Sequence, residues 1–170
     1  MLEPISDDLE EKIKQNFNEG EYWQIRILID DLYQKTGIPT DYFANLILSY
    51  YTERDNCTKK RCINPEKLEQ RIFSSMKENE SPEIKAKGYL LSIGWTGLGE
   101  MTAKEVNGEL YCFPKAVESF NPKINELPIE AIIKFKDGQI IYVMANYGAK
   151  ILKKRSPKRY TEKGDFPLAN

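Results

Sequence analysis

The residues able to carry chemistry in this 170-residue chain are few, and their spacing does not assemble a catalytic site. The chain contains no histidine and three cysteines, Cys57, Cys62 and Cys112. A structural zinc ion normally takes four Cys or His ligands, so two nearby cysteines and one distant cysteine fall short. The tripeptide Glu83-Ile84-Lys85 fits the Glu-x-Lys fragment of many metal nucleases, but no convincing aspartate-bearing strand precedes it. We therefore expect a protein that is not an enzyme and that uses no cofactor and no metal.

A run of basic residues near the C-terminus indicates a binding function instead. Between residues 150 and 163, seven Lys or Arg side chains stand against one acid, Glu162, and Tyr160 lies among them. Neutralising phosphates with such side chains releases counterions, so the run predicts salt-sensitive, sequence-independent affinity for a nucleic acid. A solvated surface tail has the same composition and is the alternative.

The charge is divided between the two halves of the chain. Residues 1–80 hold 11 Lys/Arg against 16 Asp/Glu, and residues 81–170 hold 14 against 10, so nets of −5 and +4 give the total of −1. Such asymmetry favours a polyanionic partner for the basic half, or attraction between the halves. The acidic N-terminus has no apolar signal segment, and no run approaches the ~20 apolar residues of a membrane span. We expect a cytoplasmic protein with no membrane contact.

The first half shows helical periodicity and clear helix boundaries. In the second helix, Tyr22, Ile25, Ile29 and Leu32 form an apolar stripe, which Trp23, Ile27 and Leu28 are expected to widen. The predicted helices begin at the N-cap Ser6, span Glu21–Thr36 with Gly37 as the stop, begin at Thr40, and begin at Asn64-Pro65.

After Pro82 the pattern changes to short β-prone runs separated by turn signals. Asn107-Gly108 and Asp137-Gly138 each predict a tight hairpin, because a type I′ turn needs positive φ at both central residues. Five short antiparallel strands suggest a small closed barrel, which leaves no exposed sheet edge. The predicted strands are Ile84–Ile93, Met101–Val106, Glu109–Phe113, Ile129–Phe135 and Gln139–Leu152.

Four segments of this half resemble the cold-shock and S1-like branch of the OB fold, over roughly residues 85–154. The family has a glycine early in strand one, a Gly-x-Gly entry into strand two, and an aromatic third strand that runs into a short turn. It also has a small residue near the end of strand five. The matching segments are Gly88-Tyr89-Leu90, Thr96-Gly97-Leu98-Gly99-Glu100-Met101, Leu110-Tyr111-Cys112-Phe113-Pro114-Lys115-Ala116-Val117 and Asn146-Tyr147-Gly148-Ala149-Lys150-Ile151.

The resemblance implies binding of single-stranded RNA or DNA, in which bases stack on aromatic rings while basic side chains follow the phosphates. Tyr111 and Phe113 fall in the aromatic third strand, and Trp95 stands in from a loop for a first-strand tryptophan of the family. Tyr111 and Phe113 are core residues in the alternative interpretation, since alternate strand residues share one face. The expected phosphate contacts are Lys115, Lys134, Lys136, Lys150, Lys153, Lys154 and Arg155.

The sequence therefore predicts an α+β chain: an acidic helical domain over 1–80, an OB-like or alternatively SH3-like five-stranded antiparallel barrel over 81–154, and a basic tail over 155–170. The leading functional hypothesis is a non-catalytic protein that binds single-stranded nucleic acid, with a possible protein partner for the acidic half. The rival hypothesis is a protein-binding inhibitor, immunity protein or adaptor without nucleic-acid contact.

Overall fold

The computed structural model describes residues 2–52, 63–115, 129–144 and 160–161. The chain divides into two compact units, Met1–Ile72 and Phe73–Asn170. The described residues form an α+β fold in which helices precede a sheet, as the sequence predicts. The helices are α1 (Asp7–Asn16), α2 (Glu19–Thr36), α3 (Thr40–Thr52), α4 (Pro65–Lys77) and α5 (Pro82–Ser92).

The helices of the first unit begin and end close to the predicted boundaries. The Asn18 side chain accepts a hydrogen bond from the Glu21 backbone N–H, and the Glu21 carboxylate accepts one from the Asn18 N–H, so a capping box begins α2. Gly37 ends α2 with φ 71°, a left-handed conformation that glycine adopts without strain. The core between α1, α2 and α3 is built from fully buried side chains: Ile13, Ile25, Ile29, Leu32, Phe43 and Ile47.

The segment predicted as the first strand, Ile84–Ile93, is a helix, so this prediction is wrong. The Ser81 side chain accepts a hydrogen bond from the Ile84 N–H, and Pro82 occupies the first turn of α5. Serine as N-cap followed by proline is a strong helix start, because proline lacks the N–H that a first turn leaves unpaired. These two residues outweigh the β-prone character of the apolar run that follows.

Four strands form an open, mixed sheet in the order β1-β2-β4-β3. Strands β1 and β2 pair antiparallel, β2 pairs parallel with β4, and β4 pairs antiparallel with β3. A two-residue segment, β5, pairs parallel with β3. The strands are β1 (Met101–Val106), β2 (Glu109–Pro114), β3 (Ile129–Lys134), β4 (Ile140–Met144) and β5 (Tyr160–Thr161).

The closed antiparallel barrel, OB-like or SH3-like, is therefore wrong, although β1, β2 and β3 lie where strands were expected. Strand β4 confirms the expected strand Gln139–Leu152 as far as Met144, and residues 145–152 lie outside the described residues. With α5 in place of the first strand, β1 pairs only with β2 among the described residues, and the sheet does not close on itself. Both predicted hairpins form. Asn107 and Gly108 both have positive φ, whereas in the second turn only Gly138 does, so that turn is not type I′.

Burial alternates along the inner strands and distinguishes the two faces of the sheet. Leu110, Cys112, Ile141 and Val143 are buried, and the residues between them are half-buried. The register aligns one residue from each strand into a row across the half-buried face, because partners in register share a face. The row is Lys104, Tyr111, Tyr142 and Ile132.

Candidate functional site

Two of the three rings expected to stack bases are buried. Trp95 is 2% exposed and Phe113 is 3% exposed, so neither ring is accessible to a base in this structure. Trp95 follows the C-terminus of α5, where the Gly94 and Trp95 N–H groups donate to Leu91 and Leu90 carbonyls. This is the Schellman arrangement, in which the residue after the glycine packs against the helix. The Ile-Gly-Trp sequence after α5 was the signal for this burial.

Tyr111 is the one predicted ring that remains partly accessible. It is half-buried and stacks on Tyr142, with ring centroids 4.7 Å apart and planes 16° apart. One face of each ring is therefore covered by the other ring. Tyr111 and Tyr142 pack against the buried pair Phe113 and Met144. Burial raises the pKa of both tyrosines, and the neighbouring Glu109 carboxylate raises it further.

Three of the predicted phosphate contacts lie among the described residues, and the charge around them is nearly balanced. Lys115, Lys134 and Lys136 are exposed, but Lys115 Nζ lies 3.6 Å from the Glu83 carboxylate. Over residues 73–115 and 129–144 together, seven lysines stand against eight acids, a net of −1. The other predicted contacts lie outside the described residues: Lys150, Lys153, Lys154 and Arg155.

A polar cluster lies where α5 packs on β1 and β2. The Lys87 side chain is fully buried, and its Nζ donates to Glu83 Oε2 at 2.8 Å. Thr102 Oγ1 donates to the other carboxylate oxygen, Glu83 Oε1, at 3.3 Å. Burial lowers the pKa of Lys87, against the effect of the carboxylate. The net pKa of Glu83 is also lowered: burial, which raises it, is outweighed by Lys87, Lys115 and Thr102. The Glu83 carboxylate thus connects α5 to β1 through Thr102 and forms an ion pair with Lys87 within α5.

The Glu-x-Lys fragment is divided between two interactions in this helix. Lys85 reaches Glu105 on β1 at 3.3 Å, whereas Glu83 pairs with Lys87 one turn along α5. Within the ranges that the structure describes, no three Cys, Asp or Glu residues are grouped closely enough to hold a metal ion. Cys112 is a free, fully buried thiol, and burial raises its pKa to about 12.

The helical unit carries an exposed apolar pair that the sequence interpretation misplaced. Trp23 and Ile27 were expected to widen the buried stripe of α2, but they are 48% and 61% exposed. They lie four residues apart and are neighbours on the helix surface. At 100° per residue, their positions lie about 100–160° around the helix from Tyr22, Ile25 and Ile29, and this angle was the available signal.

A cavity of about 450 Å³ adjoins Trp23 at the junction of α1 and α2. The Trp23 ring packs edge-on against Tyr22, with centroids 5.0 Å apart, and the Tyr22 hydroxyl donates to the Glu10 carboxylate. Burial and Glu10 together raise the pKa of Tyr22. Because the Tyr22 hydroxyl is bonded to Glu10, the Tyr22 ring is held in place and supports the Trp23 ring. The lining residues are Lys14, Phe17, Glu19, Tyr22 and Trp23. We call Trp23, Ile27 and this cavity the Trp23–Ile27 patch.

The helices around the patch are strongly acidic. Residues 2–52 contain four Lys or Arg and ten Asp or Glu, a net of −6. Within that range the structure shows one ion pair, in which Lys35 Nζ lies 3.0 Å from Asp31. Arg26 is buried, and its Nη2 donates to the Glu3 carbonyl at 2.7 Å.

Comparison with known proteins finds no match to this chain among protein-family models, curated proteins or solved structures. None of the described helices combines the length and apolar character that a membrane crossing requires.

Proposed function

We propose that this chain is a non-catalytic protein-binding module and that the Trp23–Ile27 patch is its contact surface. The observation that carries the proposal is the exposure of a large aromatic and a large aliphatic side chain side by side on one helix. The other exposed large apolar residues among those described, Val106 and Ile129, lie on different strands and are not register partners. Contiguous exposed apolar surface marks interaction sites, whereas isolated apolar residues are ordinary.

The composition of the patch suits an interface. Tryptophan is enriched among the residues that dominate binding energy, and truncating such a residue typically costs about 2 kcal/mol or more. The Trp23 ring is supported by Tyr22, so little ring motion is lost when a partner covers it. Rigid aromatic anchors bind well because their ordering cost is small.

Substitution of the patch tests the proposal. Full-length protein and the Trp23→Ala/Ile27→Ala variant serve as baits in cells of the source organism, and a recovered partner is then purified and titrated directly. We expect the double variant to weaken binding at least 30-fold, since each ~1.4 kcal/mol is tenfold. The control is Val106→Ala/Ile129→Ala, which removes exposed apolar surface elsewhere and should bind normally. Undiminished binding by the patch variant contradicts the proposal.

Single-stranded RNA or DNA is the second candidate ligand. Its support is the row in which exposed Lys104 stands beside the Tyr111–Tyr142 pair, together with the basic run over 150–163. Base stacking on aromatic rings beside cations is how proteins hold unpaired strands. Since Trp95 and Phe113 are buried, this hypothesis now depends on Tyr111 and Tyr142 for stacking. A titration with oligonucleotides tests it.

A further inference from the structure

The exposed side of α2 presents its charges and its apolar residues in a fixed order. Glu19, Trp23, Ile27 and Asp31 follow one another at intervals of four residues, and the two acids lie at the ends of the apolar pair. Glu19 is exposed, and the Asp31 side chain is 46% exposed. Residues four apart on a helix are surface neighbours. Along α2 these four residues therefore form a stripe of an acid, an aromatic, an aliphatic and an acid, in that order, over about 18 Å at 1.5 Å per residue.

From this order we infer that the Trp23–Ile27 patch binds a Lys/Arg-rich amphipathic helix of a protein partner; the inference rests on the proposed function. Apolar side chains of such a helix cover Trp23 and Ile27, and one of them enters the cavity. Lysines or arginines at both ends of that apolar pair meet Glu19 and Asp31. Apolar anchors at spacings of three and four are how a helix binds in a groove.

The charge of the whole helical unit supports the same partner. Over residues 2–52 the net charge is −6, and of the ten carboxylates in that range the structure places only that of Asp31 in an ion pair. The field of these charges attracts a cationic segment and speeds its association, and an anionic segment is repelled. The two cations near the patch do not reverse this. Both are already counted in the net of −6. Lys35 Nζ lies 3.0 Å from Asp31 in a solvent-exposed pair, so a partner's cation shares that carboxylate with Lys35, and Lys14 lies 5.5 Å from the Tyr22 ring centroid.

The test uses two synthetic helical peptides with the same leucine pair, one flanked by lysines and one by glutamates. Full-length protein is titrated with each peptide at two salt concentrations, with anisotropy of a label and emission of Trp23 as readouts. Because Trp95 is 2% exposed, the change in emission on binding comes from Trp23. We expect the lysine peptide to bind, to shift the emission to shorter wavelength, and to bind more weakly in salt.

Three variants separate the charge inference from the proposed function. Trp23→Ala should weaken lysine-peptide binding at least 30-fold, in line with a buried interface tryptophan. Glu19→Gln/Asp31→Asn should weaken it about threefold to tenfold and flatten its salt dependence, since rim charges each contribute modestly. Asn45→Ala, an exposed change on α3, whose residues do not line the cavity, is the control and should bind normally.

Several outcomes overturn the inference. Equal binding of the glutamate peptide, or a Glu19→Gln/Asp31→Asn variant with unchanged affinity and salt slope, removes the charge argument but leaves the proposed function standing. Failure of the lysine peptide to bind, or binding insensitive to Trp23→Ala, also rejects this partner. A dimer of the protein alone that is lost in Trp23→Ala assigns the patch to a second copy. If Trp23→Ala also leaves the co-purified partner bound, the proposed function fails with it.

Discussion

At the scale of single residues, Lys87 is the most deeply buried charged group among those described, and its partner Glu83 is not equally buried. The Lys87 side chain is 0% exposed and the Glu83 side chain 29% exposed. A buried ion pair gains little over an apolar replacement of both partners, but removing one partner leaves the other charge unpaired. The two single substitutions should therefore differ in cost.

Glu83→Gln should destabilise the second unit more than Lys87→Met does. The first change removes the carboxylate that lies 2.8 Å from a buried ammonium, which we expect to cost ~2–4 kcal/mol, reduced when Lys87 loses its proton. In the second, Glu83 keeps Lys115 and Thr102 and the apolar methionine fills the space, at an expected cost below ~1.5 kcal/mol. Urea unfolding followed by Trp95 emission, in a Trp23→Phe background, measures both. A larger loss in Lys87→Met contradicts the argument.

Cys112 should make the second unit less stable at alkaline pH. Its pKa is raised to about 12 in the folded state by burial, from an ordinary value near 9. Above pH 9 the unfolded thiol loses its proton while the folded thiol keeps it, so stability falls as pH rises towards 12. The lowered pKa of Lys87 acts in the opposite direction, because there the unfolded state holds the extra proton.

The urea midpoint at pH 8 and pH 10 measures this effect in the protein and in Cys112→Ala. The variant lacks the thiol but keeps Lys87, so the difference between the two pH slopes isolates Cys112. We expect Cys112→Ala to be less stable at pH 8, because a buried side chain is shortened, but to lose less stability by pH 10. Equal pH slopes would show that the thiol ionises equally in both states.

At the scale of elements, local sequence signals predicted helix boundaries and turns better than they predicted which strands pair. Ser6, Gly37 and Pro65 each mark a helix boundary within a few residues, and Asn107-Gly108 marks the first hairpin. The parallel pairing of β2 with β4 joins residues about 30 positions apart, and no local signal encodes it. Burial of the candidate rings depends on that pairing and on packing around α5. The sequence therefore predicted the positions of β1 to β4, but it predicted neither α5 nor which aromatic residues are accessible.

Gly88 in α5 shows the same dependence on packing. Helix propensity alone predicts that alanine would stabilise a helix interior by ~1 kcal/mol over glycine. A Cβ on Gly88, however, would lie 2.6 Å from Met76 Cβ and 3.1 Å from the Lys77 backbone nitrogen. Such overlap forces α5 away from α4, at an expected cost of ~1–3 kcal/mol. Gly88→Ala should thus be destabilising in spite of its propensity.

Gly20→Ala is the matched control, because Gly20 also lies in a helix but a Cβ there meets only Asn18 Oδ1 at 3.6 Å. That contact is ordinary, so Gly20→Ala should leave stability unchanged or raise it by up to ~1 kcal/mol. Thermal and urea unfolding of both variants, followed by circular dichroism, gives the comparison. A stabilising Gly88→Ala would mean that α4 and α5 are not held at this distance in solution.

At the scale of the whole molecule, charge is distributed very unevenly between the described residues and the rest. The described ranges carry 13 Lys/Arg and 20 Asp/Glu, a net of −7, while the whole chain has a net of −1. The remaining residues therefore contribute +6, most of it between residues 150 and 159. A phosphate backbone is repelled by the described surfaces as a group and attracted by that basic run.

Nucleic-acid binding should therefore depend on the basic run far more than on the sheet. We expect Lys153→Gln/Lys154→Gln/Arg155→Gln to lower both the affinity for a mixed-sequence oligonucleotide and the slope of that affinity against salt. Each lost phosphate contact should reduce the slope by about 0.7 for a single strand.

Tyr111→Ala should reduce the affinity for the oligonucleotide by the same factor at low and at high salt, because stacking is not a charge effect and is worth ~1–3 kcal/mol per base. Because electrostatic affinity is greatest in dilute buffer, failure to bind any oligonucleotide there would reject this candidate and leave protein binding as the function to pursue.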